Sequence, residues 1–237
     1  MFDRVLSVFG NSRPVLAGAI SLLDNCKNVA DIPTWYREGL IKREFRSKHH
    51  LIMLHCWLIH KRLISEEGGK VVQEAMFDEL WEDTSNRIRN VGVNELSINK
   101  HLKDVQGYSF RYCIELDEAL TKETPDEVKE EIGGALWRFN FLRDDDVEAD
   151  HVMKMADYVY REHESLKDVS LAAMCEGRVA FGRPPRWDTT TTSSSSMSSV
   201  VEDGEWKRAI TNEGKEYFWN STTRESRWTL PPGVEVV

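Results

Sequence analysis

At 237 residues, 41% hydrophobic and 30% charged, the chain has the composition of a folded protein able to bury a core in one large domain or two smaller ones. Its 40 acidic against 31 basic residues give a net charge of −9, which repels phosphate backbones and anionic lipid heads and argues against direct nucleic-acid binding. Cys26, Cys56, Cys113 and Cys175 form no C-x-x-C pair and no dense framework, which excludes a zinc ribbon and a disulfide scaffold and leaves them as reduced, buried thiols.

Residues 1–30 read as an N-terminal extension. Phe2, Val5, Leu6 and Phe9 fall at helical spacing with Arg4 and Arg13, as in an amphipathic mitochondrial leader, while Asp3 and the scarcity of serine depart from that pattern, so both readings stay open. The longest apolar runs, Val15 to Leu23 and Leu51 to Ile59, are about half of the roughly 20 residues a membrane-spanning helix needs, and His55 interrupts the second. The chain is expected to be peripheral to a membrane, not to span it.

Residues 31–187 read as one helical domain. Apolar side chains recur at steps of three and four through 34–64, 69–90, 94–120, 125–142 and 146–167. Val72, Met76, Leu80 and Ile88 make one such stripe, and Ile98, Leu102, Val105, Tyr112 and Leu116 another; both are expected to face a core. Thr124, Pro125 and Glu127 spell a capping box with proline at the first helical position. A last short helix, about 169–176, stops at Gly177, which accepts a left-handed conformation. No internal repeat is present, so the expectation is a globular bundle. Residues 188–201 then form a linker: the Thr189 to Ser199 run has no apolar face with which to offset the entropy of ordering its backbone.

The helical part carries no catalytic or metal signature. His49, His50, His55 and His60 fall in one predicted helix, but His50, His55 and His60 are five apart and point about 140° away from one another. His49 and His60 share a face yet stand about 16 Å apart along it. Cys56 and His60 are four apart, the one drawable nucleophile pair; the plainer reading makes Cys56 a small core residue and His60 part of a solvated helix end. Glu82–Asp83 and Asp144 to Asp146 lack the alternating oxygens and glycine of a calcium loop and read as exposed charge. Neither catalytic residues, nor a metal, nor a cofactor is expected, and no nucleotide or hydrolase motif occurs.

Five stretches do carry a resemblance: Leu54-His55-Cys56-Trp57; Leu80-Trp81-Glu82-Asp83; Arg87 to Val93; Ala135-Leu136-Trp137-Arg138-Phe139-Asn140-Phe141; and Glu176-Gly177-Arg178-Val179-Ala180-Phe181. In this order and spacing, across residues 35–185, they resemble the ubiquinol–cytochrome c chaperone family, the assembly factors of respiratory complex III. The resemblance implies an all-α domain on the matrix side of the mitochondrial inner membrane. It also implies a small helical co-chaperone, a position near the mitoribosome exit, and newly made cytochrome b or another respiratory-complex subunit as client. Such a protein needs apolar surface and orienting charge rather than a nucleophile. Trp81, Glu82, Asp83, Arg87 and Arg138 are the candidate client- or partner-binding residues, each with a core aromatic or an intradomain ion pair as its alternative. A stable structural subunit that kept the fold, and an adaptor outside mitochondria driven by the C-terminal module, are the competing readings.

That module spans residues 202–233. Turn residues at Asn212 to Lys215 and Ser221 to Arg224 separate β-rich runs, giving a small three-stranded antiparallel sheet. Trp206, the triplet Tyr217-Phe218-Trp219, Asn220, Trp228 and Pro231 make the segment similar to a WW domain. The resemblance implies that Trp206, Asn220 and Pro231 support the fold. Tyr217, Trp219 and Trp228, with Arg224 and Ser226 beside them, are then the face that binds proline-rich peptide. A polyproline II ligand suits paired rings because its backbone is already ordered. Ser221 stands where WW domains that read Pro-Pro-x-Tyr carry histidine, and Trp219 resembles the modules associated with Pro-Pro-Arg or Pro-Pro-Leu-Pro ligands. Arg183-Pro184-Pro185-Arg186 is a candidate ligand in cis, the alternative being an ordinary turn.

Overall fold

The computed structural model describes residues 12–187 and the strand residues 206–210, 216–220 and 226–227. Among them lie the helices α1 (Ser12–Ala30), α2 (Thr34–Arg37), α3 (Phe45–Leu63), α4 (Gly69–Asn90), α5 (Ile98–Ala119), α6 (Pro125–Phe139), α7 (Ala149–Leu166) and α8 (Leu171–Cys175). The chain is mainly helical, as its periodicity predicts. α4 fills the 69–90 segment, and its Val72, Met76, Leu80 and Ile88 are buried. At the start of α6, Glu127 N donates to Thr124 Oγ1 at 3.3 Å and Thr124 N donates to Glu127 Oε2 at 3.1 Å, the reciprocal pair of the capping box.

Three boundaries differ from the sequence reading. The 34–64 segment breaks after α2: a Cβ on Gly39 would sit 2.5 Å from Trp35 O and 2.9 Å from the Trp187 ring, and Leu40 turns the chain at φ 56°. α5 is preceded by a 3-10 turn, Glu95–Ser97, whose Asn94 side chain accepts from Leu96 N at 2.9 Å. Most consequentially, α1 is no mere extension. Ala19, Leu22, Leu23, Cys26 and Ala30 are buried, and α1 packs against α3, α4 and α8, so the helical unit begins upstream of the expected boundary at 31. Phe2, Val5, Leu6 and Phe9, on which the leader reading rests, lie outside the described residues.

α3 is the centre of the unit. Every residue from His49 to Ile59 is buried, and α1, α4, α5 and α7 pack around it. Its remaining open side is closed by residues 178–187, a strap without regular secondary structure. Gly177, at φ 72°, starts the strap; its O accepts from Ser21 Oγ at 3.2 Å and from Asn25 Nδ2 at 3.0 Å, and a Cβ there would overlap Ser21. Phe181 meets the His55 ring at 4.7 Å, and Gly182 N donates to the buried Glu162 Oε2 at 2.8 Å. Trp187 ends the strap: it is 4% exposed, lies 5.8 Å from Trp35 and 5.1 Å from His151, and its Nε1 donates to His151 O at 3.1 Å. Arg183 and Arg186 are exposed, with Pro184 and Pro185 half-buried between them.

Farther along, β1 (Trp206–Ile210), β2 (Glu216–Asn220) and β3 (Ser226–Arg227) pair antiparallel in that order. Trp206 stands opposite Asn220, Ala209 opposite Tyr217, and Trp219 opposite Ser226. Arg224, Trp228 and Pro231, and the Thr189 to Ser199 run, lie outside the described residues.

Removing the strap's anchor tests this packing. Trp187→Ala is expected to destabilise the helical unit by about 3–5 kcal/mol, read from denaturant unfolding followed by helical circular dichroism. Leu96→Ala, at a side chain 94% exposed, is expected to change it by less than about 0.5 kcal/mol.

Candidate functional site

The titratable groups inside the unit are struts. Arg87 Nη2 donates to His49 Nδ1 at 3.2 Å, which fixes the tautomer: Nε2–H donates to Ser109 Oγ at 2.8 Å, and that hydroxyl donates to Val105 O at 2.8 Å. His50 Nδ1 donates to Phe139 O. His55 Nδ1 donates to Leu51 O at 2.7 Å, and its Nε2 accepts from Tyr158 Oη at 2.9 Å. Burial lowers the pKa of His50 and of His55 to about 4. Burial, the Arg87 charge and His50 together take His49 well below its ordinary value. All three rings are neutral, His49 and His55 with both nitrogens hydrogen-bonded, and no group of three or more His, Cys, Asp or Glu able to hold a metal occurs among the described residues.

The Cys56–His60 pair dissolves for the same reason. Cys56 is sealed in the core, where it is hydrogen-bonded to the Cys26 thiol, whose pKa burial raises well above the ordinary value. His60 is half-buried against the Phe77 ring at 5.8 Å, not on a solvated helix end.

The five candidate binding residues separate into two groups. Asp83 and Arg87 face inward along a chain of contacts: Lys27 Nζ reaches Asp83 at 2.9 Å, Arg87 Nε donates to Asp83 at 2.7 Å, and Arg87 Nη2 donates to Thr84 Oγ1 at 2.9 Å and onward to His49. Burial works to raise the Asp83 carboxyl, but Lys27 and Arg87 override it, and its pKa lies below the ordinary range. Arg138 Nε donates to Glu115 Oε2 at 2.7 Å, tying α6 to α5. Trp81 and Glu82 belong to the surface of α4. Trp81 is half-buried with its ring 5.9 Å from Phe110 and 6.5 Å from Phe77, and Glu82 is exposed.

The structure adds two residues that the sequence reading passed over. Phe110 and Ile114, 52% and 56% exposed, stand one turn apart on α5, away from its buried stripe of Ile98, Tyr112 and Leu116. The signal was legible as a second apolar spacing on the same helix. Beside this ridge α4 exposes Asp78 and Glu82, and neither forms an ion pair among the described residues. Burial, then the charges of Glu82 and Asp78, raises the Glu79 carboxyl next to them.

Comparison with known proteins fits this arrangement. A model of the ubiquinol-cytochrome C chaperone family matches residues 39–181, more than half of the chain. The chain belongs to that family. A WW domain model matches residues 203–231, so the chaperone-family unit is followed by a WW domain. The human protein named ubiquinol-cytochrome c reductase complex assembly factor 1 is 20% identical over 177 residues, which cover 71% of this chain and 57% of that protein's length. The crystal structure of the Cbp3 homolog from Brucella abortus shares the fold, with a TM-score of 0.60 at 17% identity over 77% of this chain and 97% of that one.

The stretches that carried the family resemblance are largely what builds this fold. Trp57 Nε1 donates to Asp117 at 2.9 Å, Tyr112 Oη to Asn140, and Trp137 Nε1 to Asp144 O at 3.2 Å.

The neutral histidines set a pH dependence. Their folded pKa lies below the unfolded value of about 6.5, so between about pH 6.5 and pH 4 the unfolded chain binds more protons than the folded one. Stability is therefore expected to be fully present above pH 6.5 and to fall on acidification, with a slope of about 1.4 kcal/mol per pH unit for each histidine. Denaturant midpoints measured from about pH 7 down to pH 5 check it; a flat profile contradicts the buried, neutral assignment.

Proposed function

We propose that this chain is an assembly chaperone for mitochondrial respiratory complex III, acting on the matrix side of the inner membrane without making or breaking a covalent bond. What carries the reading is the family match across residues 39–181, on a unit whose His49, His55 and Cys56 are occupied in packing and whose α5 exposes Phe110 and Ile114 beside the half-buried Trp81. The name of the human relative, a complex assembly factor, supports the same role. The client is newly synthesised cytochrome b, taken up with a small helical co-chaperone near the mitoribosome exit.

The WW module, residues 202–233 joined through the 188–201 linker, adds a docking site for a proline-rich partner. Tyr217 and Trp228 form its proline slot, and Trp219, Arg224 and Ser226 select a ligand of the Pro-Pro-Arg or Pro-Pro-Leu-Pro kind. Trp206, Asn220 and Pro231 support that small sheet.

Affinity purification of the chain from intact organelles, with mass spectrometry, tests the chaperone role. Cytochrome b and a small helical protein are expected in amounts far below those of mature complex III. Stoichiometric recovery of the mature complex would make the chain a structural subunit, and absence of the chain from mitochondria would make it an adaptor elsewhere.

The WW reading has its own check. A Pro-Pro-Arg peptide titrated into the full chain is expected to bind at least about tenfold more weakly to Tyr217→Ala and to Trp228→Ala than to the parent, while a Pro-Pro-x-Tyr peptide binds poorly to all three. Unchanged affinity in either variant removes the proposed slot. Competition by a peptide of residues 180–188 reports on the cis alternative.

A further inference from the structure

α5 contains a glycine for which the described residues offer no reason. Gly107 lies in the interior of the helix, where glycine is the poorest helix former after proline, and its φ is not in the left-handed region. A Cβ built on it would meet nothing within 4 Å. Neither a turn nor packing inside the chain calls for a bare backbone there. A glycine in a helix is accounted for when another backbone approaches closely, and its helix face is open to solvent.

Gly107 shares its face with the exposed ridge. Gly107, Phe110 and Ile114 fall at i, i+3 and i+7, the spacing that lines one side of a helix and that helix-in-groove recognition uses. Phe110 and Ile114 are each more than half exposed, and Trp81 on α4 meets the Phe110 ring at 5.9 Å. A helix laid over Gly107 would cover both apolar side chains and the outer edge of Trp81, the kind of aromatic anchor on which interfaces concentrate their affinity.

Charge narrows the occupant. On α4, Asp78 and Glu82 stand one turn apart on the solvent side of Trp81 and have no cationic partner among the described residues. Like charges at that spacing repel, and the chain as a whole carries −9. An anionic membrane is repelled by such a rim, whereas lysine or arginine flanking an apolar stripe would relieve it.

We propose that the α4–α5 face is a docking surface for a cationic amphipathic helix of a partner protein, seated on Gly107 and over the Phe110–Ile114 pair with its basic flank toward Asp78 and Glu82. This deepens the chaperone reading by naming the partner chemistry that one face takes. Its test uses purified components, so its failure leaves the assembly role standing.

Two synthetic helices of about 18 residues are titrated into the full chain, alike in a leucine stripe at i, i+3, i+4 and i+7, one flanked by lysine and the other by glutamate. Fluorescence anisotropy of the labelled peptides reads affinity. The lysine-flanked helix is expected to bind at least about tenfold tighter, and to weaken as salt rises. Phe110→Ser and Ile114→Asp are each expected to cost about tenfold in affinity, Ile114→Asp with the unfolding midpoint close to the parent's. Gly107→Leu improves helix propensity and is expected to raise the unfolding midpoint yet weaken binding. Asp78→Lys with Glu82→Lys is expected to reverse the preference between the two helices, which keeps the test open if an apolar variant fails to fold.

Equal binding of both helices, or affinity indifferent to Ile114→Asp and Gly107→Leu, overturns the proposal. So does binding to phosphatidylserine vesicles that Ile114→Asp abolishes, which would assign the face to a membrane. A photo-crosslink from position 110 to residues 1–11 of the same chain would make it an intramolecular seat and overturn it equally.

Discussion

The whole helical unit depends on a helix whose middle three turns have no solvent-facing side. α3 is buried from His49 to Ile59, and a buried polar group without a partner costs more than the bond it fails to make. Three histidines on such a helix therefore dictate where neighbouring elements sit. His49 requires Ser109 on α5 and Arg87 on α4; His50 requires the last carbonyl of α6, at Phe139; His55 requires Tyr158 on α7. Apolar burial drives these helices around α3, and the hydrogen bonds select one angular setting for each of them. The same demand removes His49 and His55 from chemistry, because a ring with both nitrogens occupied in the core has no site left for a substrate or a metal.

Closure of the unit is divided between its two ends. α1 covers one side of α3 and is held to the strap by Asn25, whose Nδ2 reaches both Gly177 O and Val179 O at 3.0 Å. The strap then crosses His55 and Glu162 and finishes with Trp187 between Trp35 and His151. The WW domain thus follows a chain segment that is fixed in the core at Trp187. A bundle locked in this way leaves function to its surface, where α4 and α5 combine half-buried and exposed aromatics with carboxylates that form no ion pair among the described residues.

The sequence made several elements legible because their causes are local. The capping box at Thr124, the stop at Gly177 and the buried stripe of α4 each follow from a few neighbouring residues. Other features have distant causes. The break after α2 is set by the Trp187 ring against Gly39, and the burial of α1 by helices far along the chain, so a short apolar stretch near the N-terminus resembled an extension. Asp83 and Arg87 display charge in the sequence without displaying Lys27 and His49, their partners, so a binding surface and an intradomain ion pair are equally open there, and the structure shows the ion pair. The Phe110–Ile114 ridge is masked in the sequence by the apolar stripe of Ile98, Tyr112 and Leu116, which by itself accounts for the amphipathic pattern of α5. In the C-terminal module the residue pattern alone was distinctive enough to name the family, and the three described strands flank the two expected turns.

The central claim is that this protein works by holding, through its surface, with its core groups inert. Pulse-labelling of mitochondrial translation products in organelles that express variants of the chain tests it most directly, by following labelled cytochrome b into mature complex III. Cys56→Ala, which removes a core thiol and leaves the α4–α5 face intact, should preserve that flow, and Ile114→Asp, which leaves the core intact, should interrupt it. Loss of assembly with Cys56→Ala in a chain that remains folded, together with normal assembly with Ile114→Asp, would contradict the claim.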